Sequence, residues 1–146
     1  MSRASQIEAF ISGFIGYGAF EASLWFIGPE EAGADCPEDL FARIDAWEKL
    51  GRQPVVDIKE YGSHMDATNL FEDGAAPQET WRRLIEITLV LAGEEPTGNA
   101  IREFQWRKLG RPDGGILLTE LMPLAKPGVS SWPYSELGTE LPTLRP

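Results

Sequence analysis

Two adjacent carboxylates, Glu30 and Glu31, are the groups in this chain best placed by type and spacing to do chemistry. They follow a short apolar run, Leu24-Trp25-Phe26-Ile27, that stops at Gly28-Pro29, and they precede Ala32-Gly33. An apolar run ending in a Gly/Pro/Glu segment reads as a buried parallel strand that feeds a ligand-facing loop. Open α/β sheets place their reactive groups at such carboxyl ends. A carboxylate there can orient or deprotonate water; the plainer reading of the same residues is a strand closing in an acidic turn. A second apolar run, Ile116 to Met122, also ends in a segment of unusual composition, Pro123-Leu124-Ala125-Lys126-Pro127-Gly128, with Trp132 and Tyr134 beyond it. If the two strands run parallel in one sheet, their loops leave on the same edge and wall one crevice. One wall then offers carboxylates and backbone N–H groups, and the other offers prolines, Lys126 and aromatic rings.

Other chemistries lack their parts. The single histidine, His64, lies in a polar stretch between Tyr61 and Asp66, which suits a surface residue and rules out a histidine-rich metal site. The single cysteine, Cys36, can form no disulfide within the chain and no all-cysteine metal or iron–sulfur site. There is no G-x-G-x-x-G after a strand, no G-x-x-x-x-G-K-[ST] and no G-x-S-x-G elbow, so neither a glycine-rich phosphate loop nor a serine triad is indicated. No cofactor and no metal are expected.

The elements that must hold the two strand ends follow from periodicity. Ile7, Phe10, Ile11, Phe14 and Ile15 form one apolar stripe, which predicts a helix over residues 4–20, weakened towards its end by Gly13, Gly16 and Gly18. A strand is expected from about Ser23 to Gly28. Pro37 in first-turn position opens a helix that carries Leu40, Phe41, Ile44, Trp47 and Leu50 inward and stops at Gly51. Val55-Val56-Asp57-Ile58 has the composition of a short strand. Residues 59–78 read as a long loop, a candidate substrate lid. Helices are expected from Thr80 to Ala92 and from Thr97 to Leu109, the second ended by Gly110.

Bulk properties bound the answer. A chain of 146 residues with 42% hydrophobic and 25% charged residues suits one globular domain, which buries roughly two thirds of its unfolded surface. No apolar run is long enough to span a bilayer, and the N-terminus has no signal-peptide pattern; the expected location is the cytoplasm. A net charge of −10 opposes broad affinity for nucleic acid. Arg102, Arg107, Lys108 and Arg111 could form a local basic patch, although a solvated helix face is the commoner outcome.

The two strand ends together carry a resemblance. Leu24-Trp25-Phe26-Ile27-Gly28-Pro29-Glu30-Glu31-Ala32-Gly33 resembles the first motif of the uracil-DNA glycosylase superfamily, a strand followed by a Gly-Glu-Ala-Pro-Gly-type loop. Leu117 to Gly128 is similar to the later strand of that superfamily and its Pro-rich continuation, and the likeness covers roughly residues 20–134. It implies a three-layer α/β/α sandwich around a short parallel sheet. It also implies hydrolysis of the N-glycosidic bond of a damaged base flipped out of DNA. Under this likeness Glu30, with Glu31 as the alternative register, handles water. Gly28, Pro29 and Gly33 hold base or phosphate, Phe41 stacks, and Pro123, Lys126, Pro127 and Gly128 complete the wall. Glu120 occupies the position of a base-reading asparagine, and an ionised carboxylate there accepts hydrogen bonds only, which suits an amino-bearing base. The family's last strands and its histidine-containing motif find no counterpart before Pro146, so the sheet is expected to be incomplete. A silent binding module that self-associates through an exposed sheet edge is the alternative expectation.

Overall fold

The computed structural model describes residues 2–127 and 134–135, with the backbone alone for Glu30 and Ala32. Among the described residues five helices surround an open, mixed four-stranded sheet, a small α/β fold. The helices are α1 (Arg3–Gly13), α2 (Pro37–Lys49), α3 (Ile58–Ser63), α4 (Glu79–Leu91) and α5 (Gly98–Arg107), with a 3-10 turn at Asn69–Phe71. The strands are β1 (Gly16–Gly18), β2 (Leu24–Ala32), β3 (Val55–Val56) and β4 (Ile116–Lys126), in spatial order β2-β4-β1-β3.

The two strands singled out by composition are neighbours, and they run parallel: Phe26 pairs with Leu118, and Gly28 with Glu120. Both extend further than their apolar runs suggest, so Pro29-Glu30-Glu31 and Pro123 to Lys126 are strand rather than loop. On the edge strand β2, Pro29 is tolerated because an edge leaves half of the backbone groups without a ladder partner. The pairing shifts register between Glu30, opposite Met122, and Ala32, opposite Lys126. Such an irregularity breaks the strict alternation of faces and re-aims the side chains beside it.

The sheet is not purely parallel, because the expected first helix ends early. Helix α1 stops at Gly13, and β1 follows within the stretch read as helix, antiparallel to β4 and parallel to β3. The physical reason is the cluster of glycines. A Cβ on Gly16 would lie 2.0 Å from the Leu118 carbonyl oxygen, and one on Gly18 would lie 2.2 Å from that of Ile116. Residues that weaken a helix here allow β1 to lie close against β4. The expected short strand at Val55-Val56 pairs as β3, while Ile58 opens α3 behind the N-cap Asp57. Asp57 Oδ1 accepts from Lys59 N (2.8 Å) and Glu60 N (3.1 Å), and Oδ2 accepts from Arg111 Nε (2.5 Å).

One core joins these elements: Ile7 and Phe10 of α1, Leu40, Ile44 and Trp47 of α2, Ile85 and Leu89 of α4, Ile101 of α5, and Ile116 and Leu118 of β4. Aromatic rings form a continuous path through it. Trp47 meets Phe10 edge-on at 5.4 Å, Phe10 stacks on Phe14 at 4.8 Å, and Phe14 contacts both Tyr17 (5.4 Å) and Tyr61 (5.7 Å). Each such pair adds about 0.5–1.5 kcal/mol beyond its buried area. The other face of β2 and β4 is covered unevenly: Ile27 is 61% exposed and Leu121 78%, with Trp25 half exposed beside them.

Candidate functional site

A cavity of about 530 Å³ opens over the carboxyl-terminal half of β2 and the first half of its parallel neighbour β4. Its size is that of a small-molecule or cofactor pocket. The floor is strand: Phe26, Gly28 and Pro29 from β2, and Leu118 and Glu120 from β4. The roof comes from the stretch read as a lid, with Tyr61, Met65, Leu70 and Phe71, and from the first turns of α4, with Gln78 and Trp81. Phe71 and Trp81 lie 5.5 Å apart and tilted, giving the cavity an aromatic wall.

Gly28 makes room for Glu120. A Cβ at Gly28 would lie 2.2 Å from Glu120 Oε2 and 2.9 Å from its Cδ, so the carboxylate lies over the bare glycine backbone. The pairing of Gly28 with Glu120 across the parallel ladder puts both on one face, and a residue with a side chain at position 28 would displace the acid. Here the backbone register makes a glycine the seat of an acidic side chain.

The second carboxylate is Glu31. It sits at the register shift of β2, and its side chain, 33% exposed, is held from two sides. Tyr17 Oη donates to Glu31 Oε2 at 3.0 Å, and Arg43 Nη2 of α2 lies 3.6 Å from Oε1. Arg43 also donates through Nη1 to the Asp39 carbonyl (3.1 Å), which fixes the guanidinium along its own helix. Tyr17 is pushed well above the usual tyrosine pKa, first by burial and next by the charge of Glu31. Tyr61, whose ring meets that of Tyr17 at 5.4 Å, is raised for the same two reasons in the same order. Both hydroxyls therefore stay protonated and act as donors. Tyr17 spends its proton on Glu31, whereas the buried Tyr61 Oη has no well-formed partner among the described residues.

The roof is latched by a residue with no obvious sequence signal. Gln105 of α5 is fully buried, and its side-chain amide makes three hydrogen bonds. Its Oε1 accepts from Gln78 N (2.9 Å), and its Nε2 donates to the carbonyls of Leu70 (2.9 Å) and Ala76 (3.2 Å). Trp106 adds an indole N–H to Ala75 O at 3.1 Å. Four hydrogen bonds thus hold residues 70–78 against α5, and through them Phe71 and the start of α4 keep their places over the cavity.

Of the residues expected to act, Gly28, Pro29, Glu31 and Glu120 share this cavity. Glu30 pairs through its backbone with Met122, and its side chain lies outside the described set, as does the whole of Gly128. Gly33 has positive φ (+96°) and would bring a Cβ within 3.9 Å of Arg43 Nη2, at the rim of the Glu31 cluster. Phe41 does not line the cavity; it packs against the core with the Arg3 guanidinium over its ring at 4.5 Å. Pro123, Lys126 and Pro127 are likewise absent from the wall, because β4 continues through Lys126 and keeps the segment in the sheet. His64 caps the end of α3 and lines nothing here. The basic cluster of α5 and the turn after it is divided among separate partners: Arg102 with Asn99, Arg107 with Asp73 and Arg111 with Asp57. No group of three or more metal-ligating side chains occurs among the described residues, and no described helix is long and apolar enough to cross a membrane.

Tyr17, Tyr61, Arg43, Trp81 and Gln105 are the site residues that sequence reasoning missed. Only Arg43 left a trace, as a cation on the inward edge of an otherwise apolar helix face. Comparison with protein-family models, with curated proteins and with solved structures gives no match to the chain.

Proposed function

We propose that the cavity accepts a flat heteroaromatic base and that the protein, a divergent uracil-DNA glycosylase-like chain, hydrolyses the N-glycosidic bond of such a base when it is flipped out of a nucleic acid. One observation carries this reading: an aromatic-walled cavity and a doubly held carboxylate, Glu31, meet over two parallel strands, at the carboxyl end of β2 and the middle of β4. Phe71 and Trp81 supply ring faces for stacking, the commonest way proteins grip an unstacked base. Glu31 is oriented by Tyr17 and Arg43 and still partly open to water, the arrangement required of a group that must receive a proton. In the step proposed, a water oxygen bonds to the sugar C1′ as the C1′–N bond breaks. The bonding pair leaves on the base nitrogen, and Glu31 takes the water's proton. The same carboxylate stabilises the positive charge that develops on the sugar. Because the net charge is −10, binding is expected to rest on the base more than on phosphate contacts.

The test is release of free base from single- and double-stranded oligonucleotides that carry uracil, hypoxanthine, cytosine or mismatched bases. Release is expected from at least one substrate, with a loss of about 100-fold or more in Glu31→Gln, the range attributed to a positioned general base. Glu30→Gln distinguishes the neighbouring register. No release from any substrate refutes the enzymatic reading.

A second reading is favoured by the apolar outer face formed by Trp25, Ile27 and Leu121 on β2 and β4. The chain would then be a catalytically silent module that self-associates through this edge of the sheet. Light scattering over a concentration series would show a rising mass, lowered again by Ile27→Glu. A strict monomer that releases base rules this reading out.

A further inference from the structure

We infer that the cavity takes a base enlarged by an apolar alkyl or aryl substituent in preference to an unmodified base. This rests on the reading of the cavity as a base pocket and assigns the class of base it accepts. Length and volume carry the inference. The cavity follows β2 from Phe26 to Glu31, a span of about 16 Å at the usual rise of a strand. Its volume is about 530 Å³, whereas a dry cavity of about 150 Å³ suffices for one benzene ring. A pyrimidine therefore fills about a third of the space. A purine needs less than about 300 Å³ on the same measure and leaves room for a further ring.

The two ends of the cavity differ in chemistry, and that fixes which way the ligand lies. At the carboxyl end of β2, Glu31 is held by Tyr17 Oη at 3.0 Å and lies 3.6 Å from Arg43 Nη2. The proposed step puts the sugar carbon beside Glu31, so the base points back along the strand towards Phe26. Gly28 and Glu120 form the floor between the ends. At the other end Phe26 pairs with Leu118 across the ladder, and Ile58, Met65, Leu70 and Leu84 add to an apolar lining. These side chains offer water no hydrogen bond. Space left beyond a bare base is therefore poorly hydrated, and its lining forgoes dispersion contacts. An apolar group on the base edge remote from the sugar fills that space. Each fully buried CH₂ is worth about fourfold in affinity.

The experiment is calorimetric titration of the intact chain with 2′-deoxyadenosine and its N6-methyl, N6-butyl and N6-benzyl derivatives, up to millimolar concentrations. It needs no turnover, so it is independent of base release. Affinity is expected to rise along the series, with the N6-benzyl compound bound about tenfold or more tightly than deoxyadenosine, a gain that two buried CH₂ groups would already exceed. Phe26→Trp adds bulk at the apolar end and should remove most of the butyl and benzyl advantage, with far-UV circular dichroism confirming that the variant is folded. Should that variant not fold, the ligand series on the wild-type chain decides alone. A benzyl gain smaller than tenfold overturns the inference and leaves the base pocket standing. So does a folded Phe26→Trp variant that keeps the whole benzyl advantage. Absence of binding by all four nucleosides overturns the inference and the base-pocket reading together.

Discussion

Two glycines on the strands that flank β4 make opposite predictions when each is replaced by alanine. At Gly16 the new Cβ would lie 2.0 Å from the Leu118 carbonyl oxygen and 3.0 Å from Leu118 C and Thr119 Cα. All three are backbone atoms of β4, which is itself paired on both sides. An ordinary contact is about 3.5 Å, so the backbones must separate by more than about 1 Å. That separation weakens the ladder joining Gly16 to Thr119, Tyr17 to Leu118 and Gly18 to Leu117. Overpacking costs about 1–3 kcal/mol and each weakened backbone bond about 1 kcal/mol, giving about 3–4 kcal/mol in all. For a chain of this size that is a fall in Tm of about 10 °C. At Gly28 the obstacle at 2.2 Å is the end of the Glu120 side chain, which can rotate away. The cost there is one displaced rotamer, about 1 kcal/mol, or about 3 °C in Tm. Gly28→Ala should therefore stay folded while moving the floor acid, and Gly16→Ala should be unstable. Thermal melts of both variants, followed by circular dichroism, measure the contrast. The reasoning fails if Gly16→Ala melts within about 2 °C of wild type, since a tight strand approach cannot absorb a methyl group so cheaply.

Alkaline stability tests the buried tyrosines. Burial and the Glu31 charge raise the Tyr17 pKa in the folded state, so the folded chain holds the proton more tightly than the unfolded chain. The resulting stability is complete below about pH 10 and declines as pH rises beyond it, by at most about 1.4 kcal/mol per pH unit for each such tyrosine. Tyr61 adds a second contribution of the same sign, so Tyr17→Phe should flatten the decline without abolishing it; urea titrations at stepped pH values check this, and an unchanged slope refutes it. Gln105→Leu leaves Leu70 O, Ala76 O and Gln78 N without their partner, and should cost about 2–4 kcal/mol by denaturant unfolding. It should also speed proteolysis within residues 70–78, and a variant as stable and as protected as wild type would show that the latch is dispensable.

Much of the fold was legible because it rests on periodicity and on strong punctuation. The helices from Pro37, Glu79 and Gly98 begin where proline or polar caps announce them, and their buried stripes are the ones their spacing requires. β2 and β4 do run parallel in one sheet, the arrangement considered for the two apolar runs, but β2 is an edge strand whose Trp25 and Ile27 are exposed and not the buried strand its composition suggested. The failures share one cause: they depend on what a residue meets across the structure. Gly16 and Gly18 look like helix breakers until β4 lies against them, and then they are the residues that allow β1 to exist.

The polar residues of the site were harder still. Glu31 and Glu120 carry recognisable chemistry, but Tyr17, Tyr61 and Arg43 come from three other elements, separated from them and from one another by stretches with no shared motif. A tyrosine in an apolar segment reads as core, and both tyrosines are core by their rings. Their hydroxyls reach the cavity wall along the aromatic path that runs from Trp47 through Phe10 and Phe14. The rings stabilise the fold, and the same burial keeps the hydroxyls protonated beside a carboxylate. Stability and site chemistry thus draw on the same atoms. A substitution that removes only the Tyr17 oxygen leaves the ring packing in place and frees one side of Glu31, so Tyr17→Phe is the change that separates the two roles.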